Sequence, residues 1–275
     1  MKKWYAVIGD PISHSLSPFM HETWFAEHDI DAAYLPIHVE PSQLEKSFEA
    51  MKTLGISGFN ITLPHKQSIV PLLGKLEESA MQMNTVNTVS LDGADYAGSN
   101  TDGDGFVRSL LVHSVDKASK VLLIGAGGAA RGIAFALQRA GFTDVTITNR
   151  TYRRAEELAA DTNASAITLI ESEERLADFA ILIQTTSVGL ASGEALPISL
   201  DRVKAGTLVT DIIYNPLETP FLKKAQEKSC ITVNGVGMFV YQGAIAFEKW
   251  TGIKPDTEKM IKLITEKLGG TYVNN

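Results

Sequence analysis

Val121-Leu-Leu-Ile-Gly-Ala-Gly-Gly-Ala-Ala130 is the stretch on which the fold turns. Four apolar residues bounded by a glycine cluster are too short a run for a helix and read as a buried strand. The helix-forming stretch Ala129 to Ala140 follows, and Val145-Thr-Ile-Thr148 is the next strand. Strand, glycine turn, helix and strand make a βαβ unit, the context that turns a loose glycine pattern into a dinucleotide fingerprint. Gly125 permits the tight turn, Gly127 lets backbone approach a pyrophosphate, and Ala130 takes the place where helix and strand pack closely. Ala126, Gly128 and Ala129 complete a loop whose helix N-terminus faces the anion.

Working outward, Ala180 to Gln184 and Thr207 to Ile213 continue the alternation, so more strands extend a Rossmann-type sheet. The choice of dinucleotide is made after the second strand, where a carboxylate would hold the ribose hydroxyls of NAD. Here the chain reads Asn149-Arg150-Thr151-Tyr-Arg-Arg154. Guanidinium forks stay charged and bind phosphate bidentately, so Asn149, Arg150, Thr151 and Arg154 suit the 2′-phosphate of NADP. Arg153 reads as part of a solvated helix start.

The N-terminal half has a rhythm of its own: Tyr5 to Ile8, Pro18 to Glu27, Ala33 to Val39, Gln43 to Leu54 and Gly58 to Thr62 read as β-α-β-α-β. Pro41-Ser42 is expected to turn and cap the second helix, whose Leu44, Phe48, Met51 and Leu54 recur at spacings of three and four. The fold class is therefore α/β with two domains, the first built on a mainly parallel sheet. The polar stretch His113 to Ser119 reads as the linker between the halves. Phe239 to Thr251 and Asp256 to Leu268 read as helices with no later strand to cover, and are expected to return to the first domain.

Composition narrows the function. A formal net charge of -7 argues against a polyanionic partner, because phosphate neutralisation needs a clustered cationic surface. Cys230 is the only cysteine, which rules out an internal disulfide or a thiolate-rich metal site and suits a reducing, cytoplasmic setting. Neither a signal-like N-terminus nor an apolar run of about 18 residues is present, so a soluble, unprocessed protein without membrane contact is expected. His14, His21 and His28 recur every seven residues but lack further ligands at close range, and they read as surface or packing residues. No metal is expected. Glu171-Ser-Glu-Glu-Arg175 reads as solvated surface.

Three segments of the first half are more polar than a simple fold needs: Ser13-His-Ser-Leu-Ser-Pro18, Asn60-Ile-Thr-Leu-Pro-His-Lys66 and Gly98-Ser-Asn-Thr-Asp-Gly103. Each follows a predicted strand or the short stretch around Tyr96, at the edge of a parallel sheet where ligands gather. Taken with Val86-Asn-Thr88, Gly125 to Ala130, Asn149-Arg-Thr151, Thr186-Ser-Val-Gly189, Tyr214-Asn-Pro216 and Gly237-Met238 to Gln242-Gly243, in this order, the chain resembles the shikimate dehydrogenases from about residue 5 to about residue 252. The resemblance implies NADPH-dependent reduction of 3-dehydroshikimate to shikimate on the route to chorismate and the aromatic amino acids. It also implies a substrate domain of residues 1–102 plus 238–275, an NADP domain of residues 103–237, and a cofactor-filled cleft between them.

Carried over by position, Lys66 and Asp102 match the family's catalytic pair. Oxidising a secondary alcohol releases a proton as hydride leaves, and a lysine beside a carboxylate can shuttle it. Ser15 and Ser17, with Tyr214, match hydroxyl donors to the substrate carboxylate. Thr62, Asn87 and Gln242 match residues meeting the ring hydroxyls, where an amide can both donate and accept. Thr186, Ser187 and Val188 are expected beneath the nicotinamide ribose, with Ile212, Gly235 and Met238 near the nicotinamide. Met83-Asn84-Thr85 departs from the family's usual apolar residue, Gly and Ala; Asn tolerates the left-handed backbone that Gly adopts. Hinges are expected near Thr101 to Gly105 and Gly235 to Met238. A relaxed quinate/shikimate dehydrogenase, using quinate or NAD, is the alternative enzyme. A non-catalytic NADP sensor is the alternative of another class. The sequence leaves monomer and homodimer open.

Overall fold

A computed structural model describes residues 2–93, 95–190 and 195–270. Its chain divides into two compact units, Met1–Asp102 with Val240–Met260 and Gly103–Phe239 with Ile261–Asn275. The elements of the N-terminal part are β1 (Lys3–Gly9), α1 (Ser17–Glu27), β2 (Ala32–His38), α2 (Leu44–Leu54), β3 (Gly58–Ile61), β4 (Lys75–Leu76), α3 (Glu78–Met83), β5 (Thr88–Asp92) and β6 (Asp95–Ser99). Then come α4 (Asp102–Leu111), β7 (Val121–Ile124), α5 (Gly128–Arg139), β8 (Val145–Thr148), α6 (Tyr152–Thr162), β9 (Ser165–Ile167), α7 (Leu169–Glu174) and β10 (Ile181–Gln184). The chain closes with β11 (Leu208–Asp211), α8 (Pro220–Glu227), β12 (Ile231–Val233), α9 (Val236–Thr251) and α10 (Thr257–Lys267).

In the first unit the strands run β2-β1-β3-β5-β6-β4. β1 lies parallel to both β2 and β3, with Tyr5 opposite Tyr34 and Gly58. Its apolar centre Tyr5 to Ile8 is buried because both faces are covered, the usual state of a parallel strand. β5 pairs antiparallel with β3 and with β6, a hairpin whose turn uses Gly93 at φ +66°. Strands joined by so short a link can pair only antiparallel, so the sheet is mixed at this side. α2 delivers Leu44, Phe48 and Met51 to a core with Phe59, Ile61 and Tyr96, and ends at Gly55 in the left-handed conformation. Its start differs from expectation: Pro41–Gln43 forms a single 3-10 turn and no side chain caps α2 among the described residues.

The other face of this sheet carries an aromatic cluster. Tyr5 stacks on Phe25 at 5.2 Å and on Trp250 at 5.0 Å, which fixes the end of α9 to the sheet. Trp250 donates to the Val89 carbonyl at 3.0 Å, and a Cβ on Gly58 would lie 2.4 Å from the indole nitrogen, so only glycine fits there. Lys249 pairs with Glu77 at 2.7 Å and Lys259 with Glu27 at 2.6 Å, holding the C-terminal stretch to this unit as far as Met260. The C-terminal helices return to the first unit as expected, through Val240–Met260; from Ile261, within the range 238–275 expected of the first domain, the chain also meets the second unit, where Gly270 packs on Leu217. Residues 271–275 of that range lie outside the described residues.

The second unit is a six-stranded sheet ordered β12-β11-β10-β7-β8-β9, with every pairing parallel. Counted along the chain this is the doubly wound Rossmann order, its direction reversing between β7 and β10 at the switch point where such sheets bind ligands. α5 buries Ala130, Ile133, Ala134 and Leu137 against one face, while Phe179, Phe221 and Leu222 close the other. His113 to Ser119 is not the linker. It lies inside this unit as a turn, with the Lys117 carbonyl accepting from Thr143 N–H at 3.2 Å, and the chain passes between units at Asp102–Gly103, Phe239–Val240 and Met260–Ile261. Among the described residues, no helix is long and apolar enough to cross a membrane.

Candidate functional site

The first unit gathers its polar residues where strands end. β1 runs out at Gly9, where a Cβ would stand 2.4 Å from the Thr62 methyl; the absence of a side chain lets the loops after β1 and β3 close on each other. Thr62 N–H donates to the Ile8 carbonyl at 3.0 Å and Asp10 N–H to the Leu63 carbonyl at 3.0 Å. Ser17, buried at the first turn of α1, donates its backbone N–H to the Ser15 hydroxyl at 3.3 Å. That bond uses the Ser15 oxygen as acceptor and leaves its proton available.

Lys66 is set by the turn that follows β3. The buried His65 ring bonds the Val39 carbonyl at 2.6 Å, His65 N–H donates to Thr62, and the Lys66 carbonyl accepts from Val86 N–H at 2.8 Å. The ammonium reaches Asp102 Oδ2 at 2.6 Å, with 27% and 20% of the two side chains still exposed. A pair so placed is shielded enough to be strong yet reachable by a small molecule. Asp102 opens α4 and receives a second hydrogen bond on Oδ1 from Asn87 Nδ2 at 2.8 Å; its own N–H donates to Asn100 Oδ1 at 3.1 Å.

Asn87 is the hub. Its Oδ1 accepts from the backbone N–H of Thr101 at 2.8 Å, which has only a proton to offer and therefore fixes which way the amide points. The amide nitrogen consequently faces Thr101 Oγ1 at 3.0 Å, Asp102 and, at 3.5 Å, Gln242 Oε1. Two protons serve these three acceptors, so Asn87 holds Asp102 in place as much as it could meet a ring hydroxyl. The turn before it survives the departure from the family pattern: Asn84 takes φ 49°, ψ 38°. Gln242 arrives on α9, whose approach to α1 requires Gly243, since a Cβ there would lie 2.1 Å from the Met20 methyl. Thr101 Oγ1 donates to the Gln242 carbonyl at 3.1 Å.

Behind this cluster lies a second buried layer that the sequence reading did not assign. Tyr34 donates to Asn60 Oδ1 at 2.7 Å, and Asn60 donates to the Asn87 carbonyl and to Thr88 Oγ1, each at 3.1 Å. The Tyr34 ring stacks on His21 at 4.4 Å. His21 is fully buried among aromatic rings, and burial lowers its pKa to about 3, so it packs as a neutral ring. Among the described residues, no group of three His, Cys, Asp or Glu side chains is arranged to hold a metal.

In the second unit, Gly125 has φ +120°, and Gly127 and Gly128 are exposed with nothing within 4 Å of a built Cβ. α5 starts directly after Gly127, which supplies no side-chain cap, so first-turn N–H groups of α5 face open space, as a pyrophosphate requires. Arg150, Thr151 and Arg154 are exposed at the start of α6, and Asn149 donates to the Thr151 carbonyl at 3.0 Å, tightening that turn. Arg153 pairs with Glu157 at 3.0 Å on the solvated face. Thr186 and Val188 are half-buried after β10 and Ser187 is exposed. Gly235 touches Ile212, whose carbonyl would be 2.1 Å from a Cβ, and Met238 packs on the adjoining core. Tyr214 belongs to this unit and stacks on Phe239 at 4.9 Å. These features fit NADP.

Comparison with known proteins gives the family. Residues 7–89 match the shikimate dehydrogenase substrate binding domain, residues 110–211 the shikimate/quinate 5-dehydrogenase family, and residues 235–265 the shikimate 5′-dehydrogenase C-terminal domain. A shikimate dehydrogenase (NADP(+)) of Lysinibacillus sphaericus is 53% identical over 276 residues, covering 98% of this chain and all of that one. The crystal structure of a Thermus thermophilus shikimate 5-dehydrogenase in complex with NADP(H) and shikimate superposes with a TM-score of 0.89 at 32% identity, covering 97% of this chain and 99% of that one. A Listeria monocytogenes shikimate 5-dehydrogenase in complex with shikimate and NAD gives 0.88 at 33%, covering 96% of each.

Proposed function

The chain belongs to the shikimate dehydrogenase family, and on that premise we propose that it reduces 3-dehydroshikimate to shikimate with NADPH, reversibly, holding substrate on its first unit and dinucleotide on its second. The observation that carries the chemistry is the Lys66–Asp102 pair at 2.6 Å, with Asp102 fixed from its other oxygen by Asn87. Bound NADPH supplies the hydride. Lys66 gives its proton to the substrate oxygen as that oxygen gains negative charge, and in the reverse direction takes the proton from the hydroxyl. Asp102, held on one oxygen by Lys66 and on the other by Asn87, aims the ammonium and accepts from the ring hydroxyl beside it.

Ser15 and Ser17 hold the substrate carboxylate with hydroxyl groups rather than a cation, and Tyr214 adds a donor. Thr62, Asn87 and Gln242 read the ring hydroxyls, and a pocket with buried polar groups rejects a ring that leaves them unpaired. Gly125, Ala126, Gly127, Gly128, Ala129 and Ala130 cradle the pyrophosphate. Asn149, Arg150, Thr151 and Arg154 hold the 2′-phosphate, helped by the N-terminus of α6. Thr186, Ser187, Val188, Ile212, Gly235 and Met238 flank the nicotinamide end. The setting is the cytoplasm, consistent with a single cysteine, on the route to chorismate and aromatic amino acids.

The test is reduced-nicotinamide absorbance with purified protein, crossing shikimate or quinate with NADP or NAD. Turnover confined to shikimate with NADP is expected. Comparable rates with quinate or NAD would replace the strict reading with a relaxed one, and NADP binding without any turnover would leave only a sensor.

A further inference from the structure

β10 and β11 pair in parallel with Gln184 opposite Asp211, so the last residues of two neighbouring strands stand side by side. Each is a polar residue closing an apolar strand, Ile181-Leu-Ile-Gln184 and Leu208-Val-Thr-Asp211, and each is at most 1% exposed. A buried polar side chain has to find partners, and both find them in the loop that follows their own strand. The Gln184 amide accepts from Thr186 N–H at 2.9 Å and donates to the carbonyls of Thr186 at 3.3 Å and Val188 at 3.0 Å. Asp211 accepts from Ile213 N–H at 3.0 Å and from the Thr219 hydroxyl at 2.8 Å, one on each oxygen.

The two loops are also tied together. The Gln184 carbonyl accepts from Ile212 N–H at 3.2 Å, the Ile213 carbonyl accepts from Gly235 N–H at 2.9 Å, and a Cβ on Gly189 would touch Thr219 at 3.5 Å. Thr219 in turn caps α8 by accepting from Leu222 N–H. We infer that Gln184 and Asp211 are positioning residues for the nicotinamide end of the dinucleotide site, setting the loops Thr186–Val188 and Ile212–Tyr214. The inference rests on the reading that these loops and Gly235 meet NADP.

Charge gives Asp211 a signature that a merely structural residue lacks. The partners that the strand pairing and α8 give it are uncharged: its register partner is Gln184, β12 ends at Val233 opposite Thr210, and α8 begins Pro220-Phe-Leu222, while Tyr214 and Glu218 are the ionisable residues of its own loop. Burial pushes its carboxyl up to about 6, against the bonds from Ile213 and Thr219 that favour the charged form. Ionised, it accepts from both donors with charge assistance; protonated, it loses that assistance and competes for the Thr219 oxygen. The loops are therefore held less firmly as pH falls through about 6.

NADPH fluorescence titration of the intact protein, from about pH 5 to about pH 8, tests this on wild type, Asp211→Asn, Gln184→Leu and Thr219→Val, with thermal melting of each. Near pH 7.5, Asp211→Asn is expected to weaken NADPH binding by about fivefold or more. The ratio of variant to wild-type Kd should fall toward one near pH 5, and taking the ratio cancels the titration of the ligand's own phosphate near pH ~6. Gln184→Leu should raise the Kd by a factor that does not change with pH, leaving the KM for shikimate where it was. Thr219→Val, which keeps the carboxylate, should retain the wild type's decline in affinity toward acid. A Kd ratio of one for Asp211→Asn, or a ratio independent of pH, would overturn the inference. Wild-type protein that fails to bind NADPH would remove the underlying reading as well.

Discussion

On the proposed function, the two halves of the chain solve recognition with opposite materials. Around Lys66 the first unit uses side chains, and the supporting ones are buried: Asn60, Asn87, Thr88 and Thr101 are each at most 7% exposed and hydrogen-bonded to one another. Around Gly125 the second unit uses backbone, with glycines in open space and arginines in solvent. The difference follows from the ligands. A small hydroxylated ring must be read by donors and acceptors locked before it arrives, because an unmatched buried group costs about 1–3 kcal/mol. A pyrophosphate needs only unpaired N–H groups and freedom to approach them.

If the first site depends on a locked charge pair, the largest effect short of removing Lys66 should come from Asp102→Asn. It keeps the shape and loses the charge, and kcat should drop by about a hundredfold or more with little change in NADPH binding, measured by steady-state kinetics and titration. If the second site depends on exposed charge, Arg154→Ala should weaken NADPH by about tenfold while leaving NADH unaffected, since one charge-assisted phosphate contact is worth about 1.5–3 kcal/mol. Gly125→Ala probes the backbone instead. The residue sits at φ +120° and its Cβ would meet Thr185 Oγ1 at 2.4 Å, so a strain of about 1–3 kcal/mol should appear as loss of stability and of cofactor affinity, with the KM for shikimate unchanged.

A further pair of effects separates the units by pH. His21 titrates at about 3 when folded and near 6.5 when unfolded. The unfolded chain binds the proton first, so this group's contribution is whole above pH ~6.5 and is lost as pH falls toward 3, by at most about 1.4 kcal/mol per pH unit. Asp211, raised from 3.8 to about 6, has the reverse sign: the folded state binds the proton first, and its contribution declines as pH rises from 3.8 through 6. Urea denaturation across that range should show His21→Phe flattening the acid-side loss and Asp211→Asn removing the opposing trend. Equal pH profiles for wild type and both variants would contradict this assignment.

The same contrast governs what could be read from sequence. The glycine cluster after Val121-Leu-Leu-Ile124 and the arginines after β8 announce themselves, because backbone freedom and surface charge are properties of residue type. Burial is not. Asn60 and Thr101 were visible as polar residues in suggestive motifs, yet nothing in the linear pattern says that they lie beneath Asn87. Gln184 and Asp211 carried a signal, a polar residue ending an apolar strand, whose meaning appears only once parallel pairing sets them side by side. Polarity misled at His113 to Ser119, where a surface turn looked like a linker, while the crossing at Asp102–Gly103 coincides with a helix start in the polar stretch Gly98 to Gly103, and it was the family resemblance, not composition, that put a boundary there. The β5–β6 hairpin had its Asp92-Gly93 turn signal, but the strands flanking it are short.

The measurement that bears most directly on this account is steady-state and binding analysis of Lys66→Ala with 3-dehydroshikimate and NADPH. A fall in kcat of about 10²–10⁴-fold, with both ligands still bound, is the predicted result. Full turnover by that variant would show that the proton moves through another group and that the Lys66–Asp102 pair is only a support.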